Sequence, residues 1–215
     1  FFFYLNKRYN RANIEAIKRK QTAEKPLQKG YKRRLVAFLT MMVIGGGAGA
    51  SVNAFLTLFM VNELGASNAV AAMAMSIIFS SGLWAGPLGG WMSDKFGSAK
   101  VIIVTGILGG LIIFALKEIT QVGIALWATL WVMGVIQAIR FPVTEVFIMG
   151  QTPAKNRSTI YGVYYTTMQY TGAIFAPIMG GFLDRFGFYT MFTFSAWAVT
   201  AVAVITSLFI MDAKD

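Results

Sequence analysis

Arg140 and Glu145 are the two charged side chains that lie well inside an apolar run of this 215-residue chain. An ionised group at mid-bilayer depth costs about 2.5–3.5 kcal/mol on insertion scales, so such a residue faces a partner or a watery cavity. Gly134, Gln137, Arg140 and Thr144 recur at helical spacing and share a face. Two readings fit Arg140: it attracts an anionic group of a bound solute or pairs with a transported carboxylate, or it is a structural cation that pairs locally or snorkels to the headgroups. Glu145 follows at about 140° around a regular helix, so the two need not pair, although Pro142 between them can bend the helix. We read Glu145 first as a lock that pairs with Lys95 or Arg157, and second as a proton carrier.

Other polar groups recur at spacings that suit a binding face. Gly45-Gly46-Gly47-Ala48-Gly49 lies mid-run, and Asn53 follows one turn later as a candidate solute contact. The glycines allow close helix packing, the first reading, or a bend that lines a site. Tyr161, Tyr165 and Gln169 recur every four residues, with Tyr164 beside them. Aromatic and amide groups on one face suit an amphipathic organic solute. The candidate binding residues are therefore Asn53, Gln137, Arg140, Tyr164, Tyr165 and Gln169. There is no Cys and no His. This removes disulfides, thiolate ligands, the commonest metal ligand and the usual general base near neutral pH. No two carboxylates lie close within one apolar run, so no catalytic residue, metal or cofactor is expected, and the chain does not read as an enzyme.

The elements that must hold these residues are membrane helices. Hydrophobic residues make up 56% and charged residues 13%, against about 25% charged in an ordinary soluble domain. Long apolar runs predict six spans at about Leu35–Val61, Ala69–Met92, Val101–Leu116, Gly123–Gly150, Ser158–Phe182 and Tyr189–Met211. The third carries Thr105 as its one polar side chain and the sixth carries only Ser and Thr, so these two are expected to be outer, lipid-facing supports. Phe1–Leu5 reads as the end of a preceding transmembrane helix, residues 6–34 as a basic linker, and 35–215 as the six-helix domain.

Charge sets the orientation. Residues 1–35 hold eleven Lys or Arg against Glu15 and Glu24. With Lys95, Lys100, Lys155, Arg157 and Lys214, sixteen cations fall on one side, against Lys117 and Arg185 on the other. The sixteen-cation side is expected to be cytoplasmic, with both termini there. A basic run beside membrane spans points to anionic lipid as its partner and not to nucleic acid.

The chain also repeats itself. Pro87-Leu-Gly-Gly-Trp-Met-Ser-Asp-Lys-Phe-Gly97 and Pro177-Ile-Met-Gly-Gly-Phe-Leu-Asp-Arg-Phe-Gly187 share Pro, paired glycines, Asp, a cation and Phe-Gly. Each closes the second span of a three-span unit, and an odd number of spans inverts the second unit. The expected fold is all-α, with six transmembrane helices arranged as two inverted three-helix repeats.

The loop Gly90-Trp-Met-Ser-Asp94-Lys95-Phe96-Gly97-Ser-Ala-Lys100 resembles the signature loop of the major facilitator superfamily. It departs from that pattern at Ser98 and Ala99, where the family often has a basic residue. Gly134, Gln137, Pro142, Glu145, Pro153, Arg157, Gly162, Gly172, Pro177, Gly180 and Gly181 follow the family's order for the fourth and fifth helices of a half. Gly172 to Gly181 is similar to the motif associated with antiporters, with Ala176 in place of a glycine, and no antiport is assigned from it. The resemblance implies the carboxy-terminal half of a twelve-helix fold, with an amino-terminal six-helix half as partner and the basic linker between them. It implies alternating access about a mid-membrane site, with a small-molecule substrate. It also implies gating by Gly90, Asp94, Lys95 and Gly97, joined by Glu145 and Arg157. Asp94 would help hold the cytoplasmic side closed, and a carboxylate near a helix start is stabilised there by capping in any case.

The expected function is secondary active transport of a small organic solute, coupled to an ion or proton. A six-span domain of an ATP-driven exporter fits less well, because the loops are short and no phosphate-binding glycine loop is present. A non-transporting membrane receptor or scaffold that keeps the fold is the alternative.

Overall fold

The computed structural model describes residues 31–210. The expectations for Phe1–Leu5 and for residues 6–30 of the linker lie outside them. Every regular element among the described residues is helical: α1 Tyr31–Asn62, α2 Asn68–Ser80, α3 Gly82–Phe96, α4 Ser98–Lys117, α5 Ile124–Gly150, a 3₁₀ turn Ala154–Asn156, and α6 Arg157–Ile210. Helices are what this composition demands, since a lipid-facing backbone must satisfy its own N–H and C=O groups. Five helical segments are long and apolar enough to cross a membrane: Phe38–Asn62, Asn68–Phe96, Ser98–Lys117, Ile124–Gly150 and Arg157–Leu208.

The helix ends follow local chemistry. Ser67 caps α2, its hydroxyl accepting from the Val70 N–H at 3.3 Å. α2 and α3 together form one span, Asn68–Phe96, divided only at Ser81, whose backbone stays in the helical region (φ −64°, ψ −22°) and whose hydroxyl donates to the Ile78 carbonyl at 2.6 Å. Tyr31–Arg34 are helical and continuous with α1.

α3 ends at Gly97, whose φ of 87° turns the chain directly into α4. The run Arg157–Ile210 is broken in the same way at Gly187, with φ 76° and ψ 171°. Both glycines follow a phenylalanine, at the ends of the two repeated segments. Pro87 and Pro177 likewise both sit inside helices.

Two apolar cores hold the bundle. One joins Leu56, Phe59 and Met60 of α1 to Leu116, Leu126, Leu130, Met191 and Phe192. The other joins Leu35 and Phe38 to Ala85, Val101, Ile102, Val143, Phe147, Ile148 and Tyr164. They occupy opposite ends of α1, α4 and α5, and the residues between them are smaller or polar. α1 and α6 make the most extensive helix contact, and α4 packs on both α5 and α6. α3 approaches α5 closely at Gly89, where an added Cβ would meet the Ile139 carbonyl oxygen at 2.5 Å.

α4 buries Ile102, Thr105, Gly106, Gly110 and Ile113 on one face and exposes Val104, Leu108 and Leu111 on the other. The hydroxyls of Thr105, Thr193, Thr200 and Ser207 bond back to carbonyls of their own helices. Those polar groups are satisfied locally, as apolar surroundings require.

Candidate functional site

A cavity of about 280 Å³ lies between the two cores. α1 lines it with Met42, Gly45, Gly46, Gly49, Ala50 and Asn53, and α5 with Met133, Ile136, Gln137, Arg140, Phe141 and Thr144. Tyr164, Met168 and Val199 of α6 and Gly109, Ile112 and Ile113 of α4 complete the lining. α1 stays helical through its glycine run, so the glycines provide space rather than a break. An added Cβ at Gly46 would meet nothing within 4 Å, whereas at Gly47 it would collide with the Phe175 ring. Close packing thus holds at Gly47, while Gly46 leaves space beside the cavity without the bend that the other reading required.

Four of the six candidate binding residues meet in this cavity: Asn53, Gln137, Arg140 and Tyr164. Asn53 Nδ2 donates to Gln137 Oε1 at 3.2 Å, and Gln137 Nε2 donates to Asn53 Oδ1 at 3.4 Å. This amide pair ties α1 to α5. Arg140 is half-buried. Its guanidinium extends toward Gly106, and it also borders a second, water-sized void of about 10 Å³ with Phe38, Ile102 and Thr206. Among the described residues no carboxylate pairs with it. Tyr164 is completely buried, and its hydroxyl has no hydrogen-bond partner among the described residues. The two side chains are close enough to interact electrostatically.

Tyr165 and Gln169 do not join them. Both are exposed, and neither lines the cavity. The four-residue spacing that links them to Tyr161 is real, but Tyr164, one position off that row, points inward.

The gating candidates lie at the other end of α5 and beside the α3–α4 turn. The Glu145 carboxylate accepts a hydrogen bond from the Tyr165 hydroxyl, and the Tyr161 hydroxyl lies 3.5 Å from the Glu145 carbonyl oxygen. Lys95 does not pair with Glu145 here. Its ammonium sits over the rings of Trp91 and Phe96, 4.9 Å and 5.5 Å from their centroids. Arg157 opens α6, exposed and close enough to Tyr161 to interact electrostatically. Asp94 is exposed in the last turn of α3 and does not cap α4. Gly97 holds the cap position, and a Ser93–Ser98 hydroxyl contact of 2.7 Å spans the turn. Gly90 is half-buried on α3. Among the described residues no group of three or more acidic side chains is placed to hold a metal ion.

The third and sixth expected spans were read as outer, lipid-facing supports, yet Gly109, Ile112 and Ile113 of α4 and Val199 of the sixth line the cavity. The Gly109-Gly110 pair was the one signal of the α4 contribution, since paired glycines in an otherwise bulky span mark a close neighbour or an open space.

Comparison with known proteins fits this geometry. A family profile described as Major Facilitator Superfamily matches residues 35–215. "Multidrug resistance protein 2" of Bacillus subtilis (strain 168) is 34% identical over 147 residues, covering 66% of this chain and 34% of that protein. "Probable galactarate/D-glucarate transporter GarP" of Escherichia coli (strain K12) is 28% identical over 133 residues, covering 58% of this chain and 30% of that protein. The chain thus spans about a third of the length of the curated relatives it matches. Among solved structures, that of the POT family transporter PepTSo superposes with a TM-score of 0.73 at 16% identity, over 82% of this chain and 37% of that one. The chain belongs to the major facilitator superfamily and forms part of a multi-pass integral membrane protein.

Proposed function

We propose that this member of the major facilitator superfamily is the carboxy-terminal half of a secondary transporter for a small organic solute. A second six-helix half completes the site, and the two halves rock to expose it alternately to either side of the membrane. The observation that carries this reading is the cavity between the two cores, where Asn53, Gln137, Arg140 and Tyr164 converge in an otherwise apolar bundle. Polar groups gathered at mid-depth are costly unless they meet a ligand or water.

In this reading the chain has six spans, in two inverted units of three. The 54 residues of α6 would extend about 80 Å as one helix, well over twice the roughly 30 Å hydrocarbon core. The positive-φ break at Gly187 supports two crossings, in the way that Gly97 separates α3 from α4 in the first unit. Both termini then face the cytoplasm, where the basic linker meets anionic lipid. Transport is coupled to an ion or proton, and the Glu145–Tyr165 contact belongs to the cytoplasmic gate. The relatives' names, a multidrug resistance protein and a probable galactarate/D-glucarate transporter, agree with a small organic solute.

The test is uptake into proteoliposomes containing the protein, over a panel of small organic acids, sugars and amphipathic cations, with Arg140→Ala and Asp94→Asn beside the unaltered protein. Saturable uptake that Arg140→Ala weakens at the cavity and Asp94→Asn slows at the gate is the expected result. Normal folding with no flux of any solute would favour a receptor or scaffold that merely retains the fold.

A further inference from the structure

We infer that the cavity recognises a carboxylate, held between the Arg140 guanidinium and the Tyr164 hydroxyl. This rests on the transporter reading for its purpose, but its own support is local. A buried hydroxyl without a partner forfeits the hydrogen bond it had in water, and a half-buried guanidinium without a carboxylate is similarly undersatisfied. Both conditions occur together here. The Tyr164 side chain is completely buried, its hydroxyl lacks a partner among the described residues, and it lines the same cavity as Arg140. No acid is among the lining residues; the Glu145 carboxylate, which also acts on the Tyr164 hydroxyl, lies outside the cavity and accepts from Tyr165.

Charge matching narrows the ligand. Arg140 is the one charged residue of the lining. One guanidinium neutralises one carboxylate and donates to its oxygens in a planar fork, while the phenol O–H supplies a further donor. A phosphate monoester carries nearly two negative charges at neutral pH and would leave one uncompensated in this half of the site. The apolar wall built from Met42, Met133, Ile136 and Met168 suits the carbon body of such an acid. The Asn53–Gln137 pair beside it can turn its amides to hydroxyl or carbonyl groups on that body.

The experiment measures equilibrium binding to the purified protein in lipid nanodiscs. The probes are acetate, lactate, benzoate, succinate and gluconate, each against its neutral amide, on unaltered protein, Arg140→Gln and Tyr164→Phe. At least one acid should bind while its amide does not. Arg140→Gln should weaken that binding about tenfold to a hundredfold, the range for a hydrogen bond to a charged group, and Tyr164→Phe about threefold to tenfold. Tyr164→Phe removes a single atom that has no partner, so it keeps the test valid if Arg140→Gln lowers expression. The inference is overturned if no acid binds, if acid and amide bind alike, or if Tyr164→Phe binds as the unaltered protein does. Flux separates it from the transporter reading. Acid binding without flux removes transport and leaves the carboxylate site. Saturable flux of a neutral solute, unchanged in Arg140→Gln, does the reverse.

Discussion

Asn53 on α1 and Gln137 on α5 exchange two hydrogen bonds, of 3.2 Å and 3.4 Å, although 84 residues separate them in the chain. Each amide satisfies the other at the wall of the cavity, so the pair both fastens two helices and keeps polar atoms paired when no ligand is bound. Interhelical hydrogen bonds within membranes contribute about 0.6 kcal/mol on average and rarely more than about 1.7. The cavity can admit water to a widowed amide, which keeps the cost of losing one partner near the lower end of the usual 1–3 kcal/mol. We expect Asn53→Ala and Gln137→Ala each to destabilise the protein by about 1 kcal/mol. The double variant should fall short of the sum by about 0.6 kcal/mol. Reversible unfolding in mixed micelles measures all three, and strict additivity would show that the two amides do not cooperate.

Gly97 and Gly187 predict a matched pair of effects. Their φ/ψ values are 87°/137° and 76°/171°. That region is essentially closed to residues with a Cβ, at a cost of about 1–3 kcal/mol. Nothing lies within 4 Å of a Cβ added at either position, so the cost is conformational and not steric. Gly97→Ala and Gly187→Ala should therefore lower stability by similar amounts. Asn should rescue neither, because its tolerance is for the left-handed helical well near ψ +47°. Thermal unfolding of the four variants checks this. A rescue by Asn would mean that the turns relax into that well, and unequal losses would weaken the correspondence between the two repeated segments.

Membrane-length helices were legible because bilayer thickness imposes long apolar runs whatever the tertiary structure, although the six expected spans correspond to five such segments. Val101–Leu116 as read and Ser98–Lys117 as found differ only at the ends. Gln137, Arg140 and Thr144 could be assigned to one α5 face by helical spacing alone, whereas Gly134 of the same expected row packs against Ile78 and Ser81 and does not line the cavity. The inward direction of α6 was not legible. In water the apolar face of a helix marks the core, but lipid is as apolar as a core, so the polar row Tyr161–Tyr165–Gln169 carried no directional information. Tyr164 was already named beside that row, but its burial, which only the packing of α1 and α5 against α6 determines, is what sets it apart from Tyr161 and Tyr165. The amide pair and the α4 lining are tertiary facts of the same kind.

Glu145 offers a prediction that separates its two readings, a lock and a proton carrier. Its carboxylate accepts from the Tyr165 hydroxyl, and the Tyr165 ring stacks on Tyr161 at 6.0 Å between centroids. A glutamine at this position keeps an acceptor oxygen for Tyr165 but can neither ionise nor carry a proton. Phenylalanine at 165 removes the donor and leaves the carboxyl group intact. Because Tyr165 is exposed and Glu145 is half-exposed, water can replace the lost bond, and stability should change by less than about 1 kcal/mol in either variant. Transport then carries the distinction. As a lock, Glu145→Gln should retain uptake driven by a pH gradient, while Tyr165→Phe and Glu145→Ala should raise the accessibility of a cysteine introduced at Met168 to a cytoplasmic thiol reagent. As a proton carrier, Glu145→Gln should abolish the response to the gradient while Tyr165→Phe preserves it. We expect the first pattern, since the carboxylate is engaged by an exposed phenol outside the cavity and not by Arg140 within it. Loss of gradient-driven uptake in Glu145→Gln, measured in the same vesicles in which Tyr165→Phe remains active, would assign Glu145 to proton coupling instead.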